Sequence, residues 1–297
     1  MSAQFQDVYC QSADGLRLHA KTIGPKGGSA LPVFCIPGLT RTTDDFNEIA
    51  TALATDPLNP RHVVAIDLRG RGLSDYDPDP AKYSIPVELG DVLTMAASLG
   101  ITRAIMLGTS RGGLISMALA ATQPKMMAGV IINDIGPALE MAGLMKIKGY
   151  IANPPPRNTW DEAITGLKGM FGSVFPSLTD ADWTTWAHRA FREKVGGGLE
   201  RTYDLAISQT LAELDPNSPP PPIWELFDAM AGMPLMLVHG GLSDLLSPQG
   251  VRDMVARRPD IDLVEVPDQG HAPLLADRPT IDRIVAFCAR CDGTAAD

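Results

Sequence analysis

A hydroxyl, an imidazole and a carboxylate held in a row make a nucleophile out of serine, and this chain of 297 residues offers each of them in a setting that suits the task. The run Gly108-Thr109-Ser110-Arg111-Gly112-Gly113 is a G-x-S-x-G motif, preceded by the apolar stretch 103–107 and followed by the helical pattern 114–122. A strand that turns sharply into a helix brings neighbouring backbone close, and glycine at 108 and 112 removes the Cβ atoms that would clash there. Such a turn presents Ser110 Oγ at the end of a sheet. A five-residue pattern also fits a Gly-rich turn with an idle serine, so the partners decide. Serine is barely ionised at neutral pH and needs a general base, most often histidine. Of the five histidines, His19 falls in an N-terminal hairpin, His62 just before a strand, His188 in an irregular middle segment, and His239 at a strand end. His271 lies in Val266-Pro267-Asp268-Gln269-Gly270-His271, a loop after the last strand-like run and on the same rim as Ser110. His271 is the expected base.

The third group must accept the imidazole Nδ1 proton and offset the charge that forms on the ring. Asp244, just beyond the preceding strand, gives the chain order Ser110, Asp244, His271 and is the expected acid. Asp134, after the apolar run 129–132, is the competing acid on the same rim. Asp67 and Asp75 flank Arg69-Gly70-Arg71-Gly72, a turn that they are expected to order. Attack on a carbonyl builds charge on its oxygen, which two backbone N–H groups should meet. Arg111 supplies one, directly after the nucleophile; Leu39, in Pro37-Gly38-Leu39-Thr40 after the first parallel strand, supplies the other.

These groups need a frame. Residues 5–10 and 16–23 alternate apolar with polar around Asp14-Gly15, which reads as an antiparallel hairpin. Short runs that are apolar throughout follow at 32–36, 63–66, 103–107, 129–132, 235–238 and 261–266, as strands covered on both faces require. Helical patterns at 44–53, 87–99, 113–122, 248–257 and 280–288 alternate with them. That rhythm predicts an α/β, mostly parallel, doubly wound sheet. About a hundred residues separate the runs near 132 and 235, far more than a crossover needs. This segment holds Pro154-Pro155-Pro156, the aromatics Trp160, Phe171, Phe175, Trp183, Trp186 and Phe191, and Gly196-Gly197-Gly198. Apolar helix faces between stiff and flexible breakers suggest a lid over the C-terminal edge; a purely structural excursion is the alternative.

Composition narrows the partners. With 35 Asp and Glu against 25 Lys and Arg, the net charge of −10 repels phosphate backbones and anionic lipid, so neither nucleic acid nor a membrane is expected as a partner. No apolar run approaches a spanning helix, and the start Met1-Ser2-Ala3-Gln4 lacks the pattern of a secretory leader, which makes the cytoplasm the expected address. Of four cysteines, only Cys288 and Cys291 form a C-x-x-C, and without a second pair they read as packed thiols.

With these pieces placed, the chain resembles the α/β-hydrolase fold family over nearly its whole length. The resemblance rests on Pro37-Gly38-Leu39, Asp67-Leu68-Arg69-Gly70-Arg71-Gly72, Gly108-Thr109-Ser110-Arg111-Gly112-Gly113, Gly241-Leu242-Ser243-Asp244 and Gly270-His271. It implies an eight-stranded sheet, a core of residues 1–136 and 226–297, a helical cap at 137–225 between strands six and seven, and acyl transfer with no cofactor and no metal. Many members carry His-Gly in the oxyanion loop where this chain has Pro37-Gly38. Similar dehalogenases and epoxide hydrolases use an aspartate in place of Ser110. Carbon-carbon bond hydrolases often place a tryptophan after the histidine, where Ala272 stands here. Carbon-carbon hydrolysis, cofactor-free haloperoxidase chemistry and a non-catalytic ligand-binding role stay open as alternatives. The expectation is a carboxylesterase or lactonase acting on a small-molecule ester or lactone. Met141, Met145, Met170, Phe171 and Trp183 are candidates to line its pocket, or else core. Arg41 and Arg111 are candidates to meet a substrate carboxylate, or else solvated surface arginines.

Overall fold

The computed structural model describes residues 4–152 and 157–293; Met1 to Ala3 and the Pro154-Pro155-Pro156 run lie outside the described residues. The chain opens with an antiparallel pair, β1 (Gln6–Gln11) and β2 (Arg17–Ile23), turned at Gly15. Then come β3 (Val33–Ile36), helix α1 (Asn47–Ala54), β4 (Val63–Asp67), α2 (Ile85–Ser98), β5 (Ala104–Thr109), α3 (Arg111–Thr122) and β6 (Met127–Asn133). A long segment follows, with α4 (Met141–Ala152), α5 (Trp160–Phe171), α6 (Asp180–Ala190) and a small hairpin of β7 (Phe191–Glu193) and β8 (Leu199–Arg201). After α7 (Trp224–Asp228) the alternation resumes with β9 (Leu235–Gly240), α8 (Pro248–Arg257), β10 (Asp262–Val266) and α9 (Arg278–Gly293).

Eight strands form one sheet in the order β1-β2-β4-β3-β5-β6-β9-β10. β1 with β2 and β2 with β4 are antiparallel, and all later pairs are parallel. The all-apolar runs are explained by what covers them. Phe34, Ile36, Val64, Ile66, Met106, Val130 and Leu237 point to one face and pack against α2, α3 and α8. Their neighbours along each strand, Val33, Cys35, Val63, Ala65, Ile105, Leu107, Ile131 and Val238, point to the other, against α1 and α9. Period-2 side-chain alternation in a strand with helices on both sides leaves no polar face to read. Strand order reverses at β3: the chain moves from β3 to β4 on one side and then to β5 on the other, which opens a crevice at the C-terminal ends of β3 and β5.

The segment between β6 and β9 has an apolar cluster of its own, built on Phe175, Trp183, Trp186, Phe191 and Leu199. Trp183 and Trp186 stack with ring centroids 5.3 Å apart. Its ends meet, since Ile223 N donates to Pro137 O at 2.8 Å. Its hairpin is fastened to the core where Gly72 N donates to Thr202 O and Asp204 N to Gly70 O. The Cys288 and Cys291 side chains are buried in α9 among the residues of the second apolar face, and burial pushes the pKa of both thiols up to about 12. Among the described residues no helix is long and apolar enough to cross a membrane.

Candidate active site

Ser110 occupies the single residue between β5 and α3, with φ 51° and ψ −113°. Such a backbone costs a non-glycine residue about 1–3 kcal/mol. The surroundings impose it: Ser110 N donates to Asn133 O of β6, and Gly113 N and Leu114 N return to Ser110 O. The flanking glycines are steric necessities. A Cβ on Gly112 would sit 2.0 Å from Ile36 O, and one on Gly108 would sit 2.4 Å from Gly112 O.

His271 is brought to the serine by the loop after β10. Asn133 Nδ2 donates to Pro273 O and Leu274 N donates to Gln269 Oε1, which fixes the loop on both sides of the ring. His271 Nε2 lies 2.9 Å from Ser110 Oγ, and Nδ1 lies 2.8 Å from Asp134 Oδ2. A carboxylate accepts from Nδ1–H, so Nε2 carries the lone pair and the Ser110 hydroxyl donates to it.

The acid beside the histidine is therefore Asp134, and the expectation of Asp244 is corrected. Asp134 directly follows the last residue of β6 and is fully buried at φ 53°, a conformation that aspartate tolerates better than most residues. Its Oδ1 accepts from Gly240 N, and its Oδ2 from Ser243 Oγ as well as His271. Asp244 lies four residues beyond β9. Gly241 N donates to Val266 O and Leu242 N to Gln269 O, so this loop leans toward β10, and Ser243 is the residue it turns inward. Asp244 is carried past the site and pairs with Lys146 of α4 in solvent.

The expected oxyanion donors frame the serine. Arg111 is the first residue of α3, where backbone N–H groups have no partner within the helix. A Cβ on Gly38 would lie 3.7 Å from Ser110 Cβ, so the Leu39 loop passes directly beside the nucleophile. The Gly38 carbonyl accepts from Arg41 N, and across a trans peptide the Leu39 N–H points the opposite way. Buried Arg71 donates through Nε to Leu39 O and through Nη1 to Glu88 Oε1, while Glu88 Oε2 accepts from Arg111 Nε. One buried carboxylate thus ties the loop carrying Leu39 to the helix start at Arg111. No sequence signal marks this link, because Arg71 and Glu88 lie in different elements and neither belongs to the serine motif.

The model of the alpha/beta hydrolase family matches residues 33–283. The chain belongs to the alpha/beta hydrolase family. Among curated proteins, this hydrolase is 34% identical over 279 residues to a 3-hydroxybutyrate-oligomer hydrolase of Cupriavidus necator, covering 91% of this chain and 92% of that one. It is 23% identical over 267 residues to an N-formylmaleamate deformylase of Pseudomonas putida, covering 88% of each. Among solved structures, an alpha/beta hydrolase of Novosphingobium aromaticivorans superposes with a TM-score of 0.88 at 37% identity, covering 96% of this chain and 98% of that chain.

In this hydrolase a cavity of about 220 Å³ opens onto Ser110 and His271. Core residues Gly38, Leu39 and Arg111 form one wall, and the segment between β6 and β9 forms the other. Leu144, Ile147 and Tyr150, three residues apart on α4, face the cavity with Met170 and Phe171 of α5. Met141 and Met145 do not line it, contrary to expectation: Met141 packs on the core beneath, and Met145 lies one position off the Leu144 stripe. Trp183 belongs to the apolar cluster rather than the wall, while its stacking partner Trp186 reaches the cavity. Arg41 lines the cavity but is held by Asp45, with bonds of 2.6 and 2.7 Å, and lies 5.2 Å over the Trp186 ring. Arg111 is likewise committed, to Glu88 and to Tyr83 O. Three of the other histidines are engaged elsewhere: His19 bonds Asp67 and Asp7, His239 bonds Leu246 O and Glu265, and the His188 ring lies 3.8 Å from that of Trp160.

Proposed function

We propose that this hydrolase cleaves carboxylic ester or lactone bonds through an acyl-enzyme on Ser110, with His271 as general base and Asp134 as the orienting acid. The observation that carries this reading is the unbroken line from Ser110 Oγ through His271 to Asp134 at the floor of a cavity. His271 Nε2 removes the serine proton as Oγ attacks the carbonyl carbon. The resulting oxyanion lies between the N–H groups of Leu39 and Arg111, next to the positive end of α3. His271 returns the proton to the leaving alkoxide, and water then releases the acid by the same steps in reverse. Residues 137–225 act as a cap, whose apolar side chains Leu144, Ile147, Leu167 and Phe171 suit a short aliphatic chain. The similarity to a 3-hydroxybutyrate-oligomer hydrolase supports a short, aliphatic ester.

The test is to mix the protein with p-nitrophenyl butanoate, quench early and map the acylated residue by peptide mass spectrometry. A butanoyl group on the Ser110 peptide, absent from Ser110→Ala together with turnover, is the expected result. Equal turnover by Ser110→Ala and wild type refutes the reading.

A further inference from the structure

Five arginines line the cavity among the described residues: Arg41, Arg111, Arg157, Arg189 and Arg201. Three have a carboxylate of their own, in Asp45, Glu88 and Glu48. Arg157 has none among the described residues, and it is the feature of the cavity that the serine chemistry leaves unexplained. Its position is built. Leu199 N donates to Arg157 O, which sets the strand ending at Arg201 alongside it. Its guanidinium lies on Gly166 of α5, where a Cβ would come within 2.1 Å of Nη2 and 2.6 Å of Cζ. A glycine inside a helix is less favourable than alanine, and here it leaves the room that this side chain fills. Arg201 lies 5.4 Å over the Phe191 ring and 6.0 Å over the Tyr203 ring, and it bonds with the Tyr203 side chain. Burial, with Arg157 close by, makes a second positive charge costly at this place and lowers the Arg201 pKa. Arg157 thus presents to the cavity a guanidinium that no carboxylate of the described residues neutralises, a charge that an incoming anion would meet.

We infer that Arg157, with Arg201 beside it, forms a subsite for a carboxylate on the substrate, held by the cap while the ester lies at Ser110. The subsite rests on the ester-hydrolase reading for its purpose, but not for its existence. It assigns the substrate class: short esters or lactones whose acyl or alcohol part ends in a carboxylate.

The experiment compares mono-p-nitrophenyl glutarate with p-nitrophenyl pentanoate, matched in chain length and differing in the terminal charge. Wild type should favour the glutarate ester in kcat/KM, and Arg157→Gln should lower the ratio of the two by about tenfold or more, as loss of a charge-assisted contact does. Arg157→Lys should keep part of the preference. Gly166→Ala displaces the guanidinium without removing its charge, and should lower the ratio while raising the melting temperature. A ratio equal in wild type and Arg157→Gln overturns the proposal. Glutarate itself is then titrated calorimetrically into Ser110→Ala with and without Arg157→Gln. Weaker binding in the double variant supports the subsite, and equal or absent binding in both overturns it. This titration needs no turnover, so Arg157-dependent glutarate binding by a protein that cleaves neither ester would refute the ester-hydrolase reading and leave the subsite standing.

Discussion

Replacing Asp134 with asparagine separates the two aspartates on the rim more sharply than any other change. The buried carboxylate serves Gly240 N–H with one oxygen and both Ser243 Oγ and His271 Nδ1 with the other. Asparagine has one oxygen to offer. Kept on Gly240 N–H, it leaves the amide NH2 facing Nδ1, which must then accept, so the ring proton moves to Nε2 and points at Ser110. Flipped, it sets NH2 against Gly240 N–H and leaves buried donors unmet at a cost of about 1–3 kcal/mol, which favours the first arrangement. Asparagine tolerates the positive φ of this position, so the backbone is not the source of any loss. The wrong tautomer lowers kcat by about 10⁴-fold in the serine protease precedent, or about 5.4 kcal/mol at 1.36 kcal/mol per decade. Asp244→Asn removes only an ion pair whose side chains are more than a third exposed, worth about 0–1 kcal/mol, and should cost less than about fivefold. The assay is kcat/KM for p-nitrophenyl butanoate with both variants, alongside melting temperatures to confirm folding. If Asp134→Asn stays within about tenfold of wild type, or Asp244→Asn loses more than about a hundredfold, the assignment of the acid is wrong.

Two further outcomes follow from buried charges outside the serine line. Glu88→Gln strips the carboxylate from Arg71 and Arg111 together, both in contact with the loop or helix that frames Ser110, and should destabilise the fold by about 3–5 kcal/mol in urea unfolding; an unchanged midpoint would contradict the role given to it. His19 is a pH-dependent clamp: burial alone would lower its pKa, but bonds to Asp67 at 2.7 Å and Asp7 at 3.0 Å outweigh burial and hold it above its ordinary value. A raised pKa means that this contribution is complete below about pH 6.5 and lost as pH rises through the folded value. The stability gap between wild type and His19→Gln should therefore narrow from about pH 6 to pH 9, and a gap that widens would reverse the sign of the linkage.

Much of the site was legible because strands carry their own punctuation. The apolar runs ending at Leu107 and Val266 place Ser110 and His271 on one rim before any coordinate is known, since every parallel strand ends on the same edge. The choice between Asp134 and Asp244 was not legible, because both follow a strand at that edge. What separates them is tertiary: the lean of residues 241–243 toward β10, set by hydrogen bonds to Val266 and Gln269. The cavity wall failed for a related reason. Methionines at 141 and 145 satisfy an apolar pattern, but the rotation of α4 about its axis decides which stripe faces inward, and that rotation follows from packing against residues a hundred positions away. Arg157 carried no local signal at all. Its partner in shape is Gly166, and a glycine in a helix announces an absence without saying what fills it.

The meeting of Pro137 and Ile223 has a consequence for how such a protein changes over time. A segment that leaves and re-enters the core through one doorway can be exchanged for another of different length at little loop-closure cost, because its ends are already in contact. Ser110, Asp134 and His271 lie outside the exchanged stretch, and Arg157 and Arg201 lie within it. Recombination at that doorway would hand the same bond-breaking machinery a new molecule to recognise, so reaction and recognition can be inherited separately in this fold.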